Sequence, residues 1–105
     1  MNIKIEVYAR QDESPVRGNA SAISDEIDRE IENEILERLN DGDIWAWALV
    51  EVRATDEDSG DHESEFIGGC CYKNEGDFKI FSGYYGEMAA AAAVRLIERR
   101  AAISA

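Results

Sequence analysis

The sequence predicts an α+β fold: a small antiparallel sheet of three to four strands with two helices on one face, forming a single domain over residues 1–105. Three observations predict it. Two segments alternate apolar and polar residues, which is typical of half-buried strands. Two longer segments repeat apolar residues at helical spacing. Alanine is concentrated in one of these strands and in the last helix, which predicts close packing between the two.

The N-terminal strand is predicted from apolar residues at every second position, which are Ile3, Ile5, Val7 and Ala9. Residues 11–19 contain the only proline and read as a loop. A helix is predicted over residues 21–40, capped by Ser21 or Ser24 and ended by Asp41-Gly42. Its apolar stripe comprises Ile23, Ile27, Ile31, Ile35, Leu36 and Leu39.

A second strand is predicted over residues 44–54, and it pairs with a third over residues 65–72 as an antiparallel hairpin. One face of the second strand carries Ala46, Ala48, Val50 and Val52; the other carries Trp45, Trp47, Leu49, Glu51 and Arg53. Residues 78–81 form either a helical turn, which is slightly favoured, or a fourth short strand. The predicted order is therefore β-α-β-β-(turn)-α.

The last helix is predicted over residues 84–102. Its apolar stripe comprises Tyr85, Met88, Ala89, Ala92, Ala93, Leu96 and Ile97. Arg99 and Arg100 suit the negative C-terminal end of a helix. The alanine run in residues 89–93 should let this helix lie close to the alanines of the second strand.

The formal net charge of −12 is concentrated in one part of the chain. Residues 19–65 contain sixteen acids and only three arginines, whereas acids and bases nearly balance on either side. Phosphate contacts require clustered Lys and Arg, so this composition argues against direct nucleic-acid binding and against an anionic membrane. It permits a basic protein partner.

The predicted first helix carries a regular acidic edge. Glu26, Glu30 and Glu34 recur every four residues, so their positions lie about 6 Å apart along the helix axis. Nearby negative charge comes from Asp28, Glu32 and Glu37. Two interpretations stay open: a partner-binding surface, or a solvated face that only keeps the protein dispersed.

A second acidic segment lies between the predicted second and third strands. Its carboxylates are Asp56, Glu57, Asp58, Asp61, Glu63 and Glu65. The order resembles the opening of a calcium loop, but the glycine is displaced to Gly60 and Ile67 stands where the bidentate acid should be. We expect no calcium site here, and we expect this loop to form one negative surface with the acidic helix.

No catalytic, metal or cofactor site is predicted. His62 is the only histidine and has no nucleophile in register with it. Adjacent Cys70 and Cys71 would point to opposite strand faces, which suits neither a disulfide framework nor a zinc site. Gly68-Gly69 lacks the lysine of a phosphate loop, and we expect it to allow close approach by a helix or a tryptophan.

Trp45 and Trp47 are predicted to share one strand face. Core packing is the first interpretation of this pair. If both helices cover the alanine face, however, the tryptophans would form a homodimer or partner surface.

Several short motifs resemble a family of small, uncharacterised proteins encoded by bacteriophages and prophages. They are Trp45-Ala46-Trp47, Gly68-Gly69-Cys70-Cys71-Tyr72, Asp77-Phe78-Lys79 and Gly83-Tyr84-Tyr85-Gly86-Glu87-Met88. The resemblance covers about residues 44–100 and implies a phage context in the host bacterial cytoplasm. Proteins of that context include anti-CRISPR and anti-restriction inhibitors whose charge resembles that of DNA. The resemblance itself brings no activity.

The leading hypothesis is therefore a non-enzymatic inhibitor that docks its acidic surface on a basic, nucleic-acid-binding surface of a host protein or ribonucleoprotein complex. The alternative is a homo-oligomeric or accessory interaction module that uses the Trp45/Trp47 face, with the acidic helix serving only solubility.

Overall fold

A computed structural model describes residues 1–104 of the chain. The sheet strands are β1 (Ile3–Gln11), β2 (Ala48–Asp56) and β3 (His62–Cys70). The helices are α1 (Asp25–Asn40), α2 (Glu75–Phe81) and α3 (Tyr85–Ser104), with a short 3-10 helix over Ile44–Ala46. The α+β class is confirmed, and the segment predicted as a helical turn is the helix α2.

The sheet has three antiparallel strands in the order β1-β2-β3, so the long central strand is paired along both edges. Burial alternates strictly along β2. Ala48, Val50, Val52 and Ala54 are fully buried, whereas the intervening residues are only half-buried. The sheet therefore has one covered face and one open face, as expected for a small antiparallel sheet in an α+β fold.

The covered face packs against α3 through small residues. Ala54 lies in one cluster with Ala92 and Leu96, and all three side chains are fully buried. Further along the sheet, Val50 and Phe78 of α2 form the second half of this core. The predicted alanine-to-alanine contact is thus present, at Ala54 and Ala92. Ile97 departs from the predicted stripe because it is half exposed at the flank of α3.

The first helix does not cover the sheet, which corrects the predicted pair of helices on one face. Ile35 of α1 packs instead on Val16, Ala46 and Trp47, beside the start of β2. The connection to the next element explains this position. The 3-10 helix follows α1 after only a short turn through Gly42, whose φ is +88°, so α1 stays beside the start of β2. The molecule is consequently elongated, with extents of 57 × 24 × 23 Å.

The tryptophans do not share a strand face, which corrects the second structural expectation. Trp45 belongs to the 3-10 helix and packs on Phe78 with ring centroids 6.0 Å apart. Trp47 is only 4% exposed, lies in the α1 cluster and donates from Nε1 to the Ser14 carbonyl at 2.8 Å. Helical backbone over residues 44–46 breaks the period-2 alternation, so the two rings enter separate clusters. A tryptophan-faced dimer surface is therefore absent from the described residues.

Candidate functional site

Local capping positions the acidic helix. Ser24 is the N-cap of α1, and its Oγ accepts from the Ile27 amide at 3.3 Å. Asp41 and Gly42 close the other end, as predicted. Only residues from Ile31 onward enter the apolar cluster around Trp47, so Ile27 in the first turn of α1 is 41% exposed, and Ile23, just before the N-cap, is 71% exposed. The N-terminal half of α1 thus projects beyond the sheet, held by the 12–23 loop.

The acidic edge, defined as Glu26, Glu30 and Glu34, lies on this projecting helix and is exposed throughout. Within residues 1–104, none of its carboxylates has a hydrogen-bond or ion-pair partner in the protein. Glu37 is exposed in the same way. Glu34 and Arg38 lie at i,i+4 spacing but do not pair, because Arg38 binds Asp43 at 2.8 Å instead. The edge is a line of negative charge without ion pairs in that part of the chain, beside the exposed Arg29, which lines the same hollow as Glu26 and Glu30.

Two acids assigned to this surface are structural instead. Glu32 is 7% exposed and accepts from Arg17 Nη1 at 3.2 Å and from the Gly18 amide at 2.7 Å. Asp28 is half-buried and accepts from the Ile23 amide at 2.9 Å. Both carboxylates tie the 12–23 loop to α1, so they are removed from the candidate surface.

The hairpin acids are largely neutralised by α3. Arg100 contacts Asp61 at 2.9 Å and Asp56 at 3.6 Å, and Arg99 contacts Glu63 at 3.5 Å. One turn earlier, Arg95 lies 3.8 Å from the Glu65 carboxylate. Arg99 and Arg100 were predicted to serve the helix terminus, but they bind carboxylates of the β2–β3 hairpin that α3 crosses.

Asp56 is the clearest correction among the predicted site residues, because it is only 2% exposed. Its Oδ1 accepts from the Asp58 amide at 3.0 Å and its Oδ2 accepts from Ser59 Oγ at 2.9 Å. These bonds hold the tight hairpin turn. Only Glu57 and Asp58 of the segment stay fully exposed.

The two acidic segments lie at opposite ends of β2, so they do not form the single surface that was predicted. Helix α1 packs beside the first residue of β2, whereas the hairpin turn follows its last residue. Nine strand residues separate these points by roughly 30 Å. The acidic edge of α1 therefore lies apart from the hairpin acids, most of which are paired with arginines of α3.

The open sheet face is a second candidate, and its composition differs from that of α1. A concavity of about 570 Å³ lies over it. The strand register places Tyr8 and Phe66 on either side of Glu51 in one row across the sheet. Arg10, Arg53, His62 and Glu63 line the same concavity. Sequence alternation could have found these residues only with the strand register already known.

The two adjacent cysteines lie in different surroundings. Burial raises the pKa of the Cys70 thiol to about 11, which keeps it protonated, and Cys71 is exposed. Over residues 1–104, no group of three His, Cys, Asp or Glu side chains is placed to hold a metal ion. The helices of that part of the chain also lack the combined length and apolar character needed to cross a bilayer.

Comparisons with known proteins identify no relative. No family model matches the chain, and neither the curated proteins nor the solved structures contain a match.

Proposed function

We propose that this protein is an inhibitory binding protein that docks the acidic edge of α1 on a basic, nucleic-acid-binding surface of a host defence complex, in the manner of an anti-CRISPR or other DNA mimic. One observation carries the proposal. Glu26, Glu30 and Glu34 are exposed and unpaired within the described residues, whereas the hairpin acids are bound by arginines of α3.

The projecting geometry of α1 supports docking. A solvated face would be expected to alternate charges along the helix, but here three carboxylates recur at i,i+4 spacing with Arg29 as the one base beside them. Ile23 and Ile27 are exposed beside them, which supplies apolar area that a purely solubilising helix does not need. Charge would steer the encounter, and the isoleucines would add contact area after docking.

Inhibition would follow from occlusion. A partner that holds nucleic acid with clustered Lys and Arg cannot bind phosphates while those side chains face carboxylates. Bound protein and duplex DNA should therefore exclude one another on the partner. The resemblance to phage proteins, carried by motifs such as Gly68-Gly69-Cys70-Cys71-Tyr72, is the reason for seeking that partner in a bacterial lysate.

The test is affinity capture from bacterial lysate with three proteins: the natural sequence, the Glu26→Lys/Glu30→Lys/Glu34→Lys variant, and a charge-matched control. The control is Glu13→Lys/Glu87→Lys/Glu98→Lys, which changes three exposed acids outside α1 by the same total charge. We expect the α1 variant to lose a captured nucleic-acid-binding protein that the control retains. Added duplex DNA should release that protein.

Salt and folding provide the remaining criteria. Capture should weaken steeply between low and physiological salt, because exposed charges are screened over about 8–10 Å there. All three proteins should give the same circular dichroism spectrum, since the substituted positions are exposed. Equal capture by the two variants, or capture that DNA does not compete, would contradict the acidic edge as the docking site.

A further inference from the structure

The strand β1 leaves one row of its backbone groups unpaired. The Asn2 carbonyl accepts from the Glu57 amide at 2.9 Å, and the Asp12 amide donates to the Trp47 carbonyl at 2.9 Å. Backbone groups alternate sides along a strand, so the even-numbered residues of β1 bond β2 and the odd-numbered residues point their N–H and C=O groups away from it. Within residues 1–104, these outward groups have no hydrogen-bond partner. They belong to Ile3, Ile5, Val7, Ala9 and Gln11.

The opposite edge of the sheet is covered by α3, which distinguishes it from β1. The His62 carbonyl points outward from β3 and accepts from Arg99 Nη1 at 3.2 Å. The Ser64 carbonyl accepts from Arg95 Nη2 in the same way. Proteins commonly protect an edge strand with such a cover, with a bulge or with a proline. Strand β1 pairs with β2 over nine residues without a register shift and contains no proline, so its edge is open to another strand.

The charged residues of β1 are ordered so that two copies of the strand complement each other. Along the open sheet face the order is Lys4, Glu6, Tyr8, Arg10 and Asp12. An antiparallel second copy centred on Tyr8 places its Asp12 opposite Lys4, and it likewise places its Arg10 opposite Glu6. Shifting the second copy by two residues, the smallest shift that keeps the faces matched, sets Lys4 against Arg10 in one direction. In the other direction the shift sets Glu6 against Asp12. Charge therefore favours the register centred on Tyr8 over its neighbours.

The same register suits the backbone and the apolar side chains. It sets Val7 opposite Ala9, and it sets Ile5 opposite Gln11, so the residues with outward backbone groups face one another. Ile5, Val7 and Ala9 are only half-buried, whereas the covered-face residues of β2 are fully buried, so a strand added at this edge would cover them further. Residues 4–12 contain two bases and two acids. This edge is therefore locally neutral in a chain of net charge −12, which lets two such chains approach each other there.

We propose that β1 is a dimerisation edge, at which two copies of the chain pair their β1 strands antiparallel about a twofold axis through Tyr8. The two three-stranded sheets then form one continuous sheet. A strand from another protein could satisfy the same backbone groups, but the charge order of β1 is matched by β1 itself. The acidic edge of α1 contributes no residue to this pairing, so dimerisation and the docking function proposed above are tested separately.

Charge exchange tests the register. Sedimentation velocity at physiological salt should show the natural sequence as a monomer on dilution and as a dimer at high micromolar concentration. Glu6→Lys sets bases against each other at two symmetric places, and Arg10→Glu does the same with acids, so each variant alone should dimerise at least about 5-fold more weakly. An equal mixture of the two variants restores both opposite-charge contacts and should dimerise like the natural sequence. The control is Glu87→Lys, a charge change at an exposed position of α3, which should dimerise normally.

Amide hydrogen exchange of the natural sequence tests the strand pairing without any substitution. Raising the protein concentration should slow exchange at Val7 and Ala9, whose amides point outward, whereas the amides of Glu6 and Tyr8 are bonded to β2 and should be protected at every concentration. Circular dichroism checks that the charge variants are folded.

Three results would overturn the proposal. The natural sequence could sediment as a monomer at every concentration, or the mixture of variants could dimerise as weakly as each variant alone. A dimer in which the amides of Val7 and Ala9 exchange as fast as in the monomer would assign self-association to another surface and overturn the proposal equally.

Discussion

Gly68 and Gly69 of β3 lie in contact with Asp12 and Trp47, which come from two other parts of the chain. The two glycines face Leu49 as an extra residue in β3, where the register with β2 shifts. Gly69 has φ +62°, and a Cβ on it would lie 3.4 Å from the Trp47 ring. Its amide donates to Asp12 Oδ2 at 2.7 Å. The expected close approach of a tryptophan to this glycine pair is confirmed.

Gly69→Ala should therefore destabilise the fold by about 1–2 kcal/mol, because an L side chain is strained at this φ and the Trp47 ring cannot retreat from its buried site. Urea unfolding followed by tryptophan fluorescence measures the change. Gly86→Ala is the control: it lies in α3 with no atom near the new Cβ, and it should stabilise by about 0.5–1 kcal/mol. Equal effects of the two substitutions would contradict the assignment.

Three individual carboxylates make the free energy of unfolding depend on pH. The amides of Ser14 and Gly69 lower the pKa of Asp12, Arg53 and Ser64 lower that of Glu51, and the Asp58 amide with Ser59 and Arg100 lowers that of Asp56. A carboxyl with a lowered folded-state pKa binds its proton more readily in the unfolded chain. The stabilisation is therefore present above the unfolded value of about 3.9–4.3 and is lost as pH falls through the folded values.

Urea stability should accordingly be flat near neutral pH and fall as the pH drops below about 4. Asp12→Ala should lower stability at pH 7, and its difference from the natural sequence should shrink toward pH 2, where Asp12 is protonated in both states. The control is Glu13→Gln at the exposed neighbouring position. A difference for Asp12→Ala that is independent of pH would exclude a role for its ionised form.

At the scale of elements, α1 is a helix of two halves. Its C-terminal half is anchored through Ile35, which is 4% exposed, while Ile27 in its first turn is 41% exposed and Ile23, just before the N-cap, is 71% exposed. Helix periodicity alone assigns all three isoleucines to one stripe, because it describes the helix and not the length of the surface that receives it. The apolar cluster around Val16 and Trp47 receives only the C-terminal half of the helix, whereas the first half is held by polar contacts with the 12–23 loop.

Ile35→Ala should cost about 2–5 kcal/mol, as for other truncations of buried aliphatic side chains. Ile23→Ser should leave the unfolding free energy within about 0.5 kcal/mol, because nothing covers that side chain in the protein. Urea denaturation of both variants checks the contrast. A large loss of stability for Ile23→Ser would mean that the N-terminal half of α1 is packed in solution.

At the scale of the whole molecule, the position of α1 determines the shape. The Cα radius of gyration is 16.7 Å. A compact domain of this length would have a radius of about 13 Å. The excess arises because α1 extends the sheet lengthwise and does not lie over it.

Small-angle scattering of the monomer should therefore give a radius of gyration close to 17 Å, with a maximum dimension near the 57 Å extent. Light scattering on the same sample must confirm the monomer mass of 11.7 kDa, because a dimer would also raise the radius. A monomer with a radius near 13 Å would support the arrangement with both helices on the sheet face.

The sequence by itself determined the α+β class, most strand and helix segments and the capping of α1, because these depend on local periodicity and on turn chemistry. It also located the acidic edge, since i,i+4 spacing needs no tertiary information. The sequence also predicted that alanines of β2 pack against alanines of α3. It did not identify the pair in contact, which is Ala54 and Ala92.

Tertiary structure alone decided what those segments face. Whether Asp56 is exposed depends on the reach of Arg100 from a helix about 40 residues away in the chain, and no local pattern encodes that contact. The separate burial of Trp45 and Trp47 follows from one helical turn before β2. The row of Tyr8, Glu51 and Phe66 exists only through strand register. Long-range pairing joins residues that are distant in sequence, so the open face and the isolation of the acidic edge could be recognised only in the folded protein.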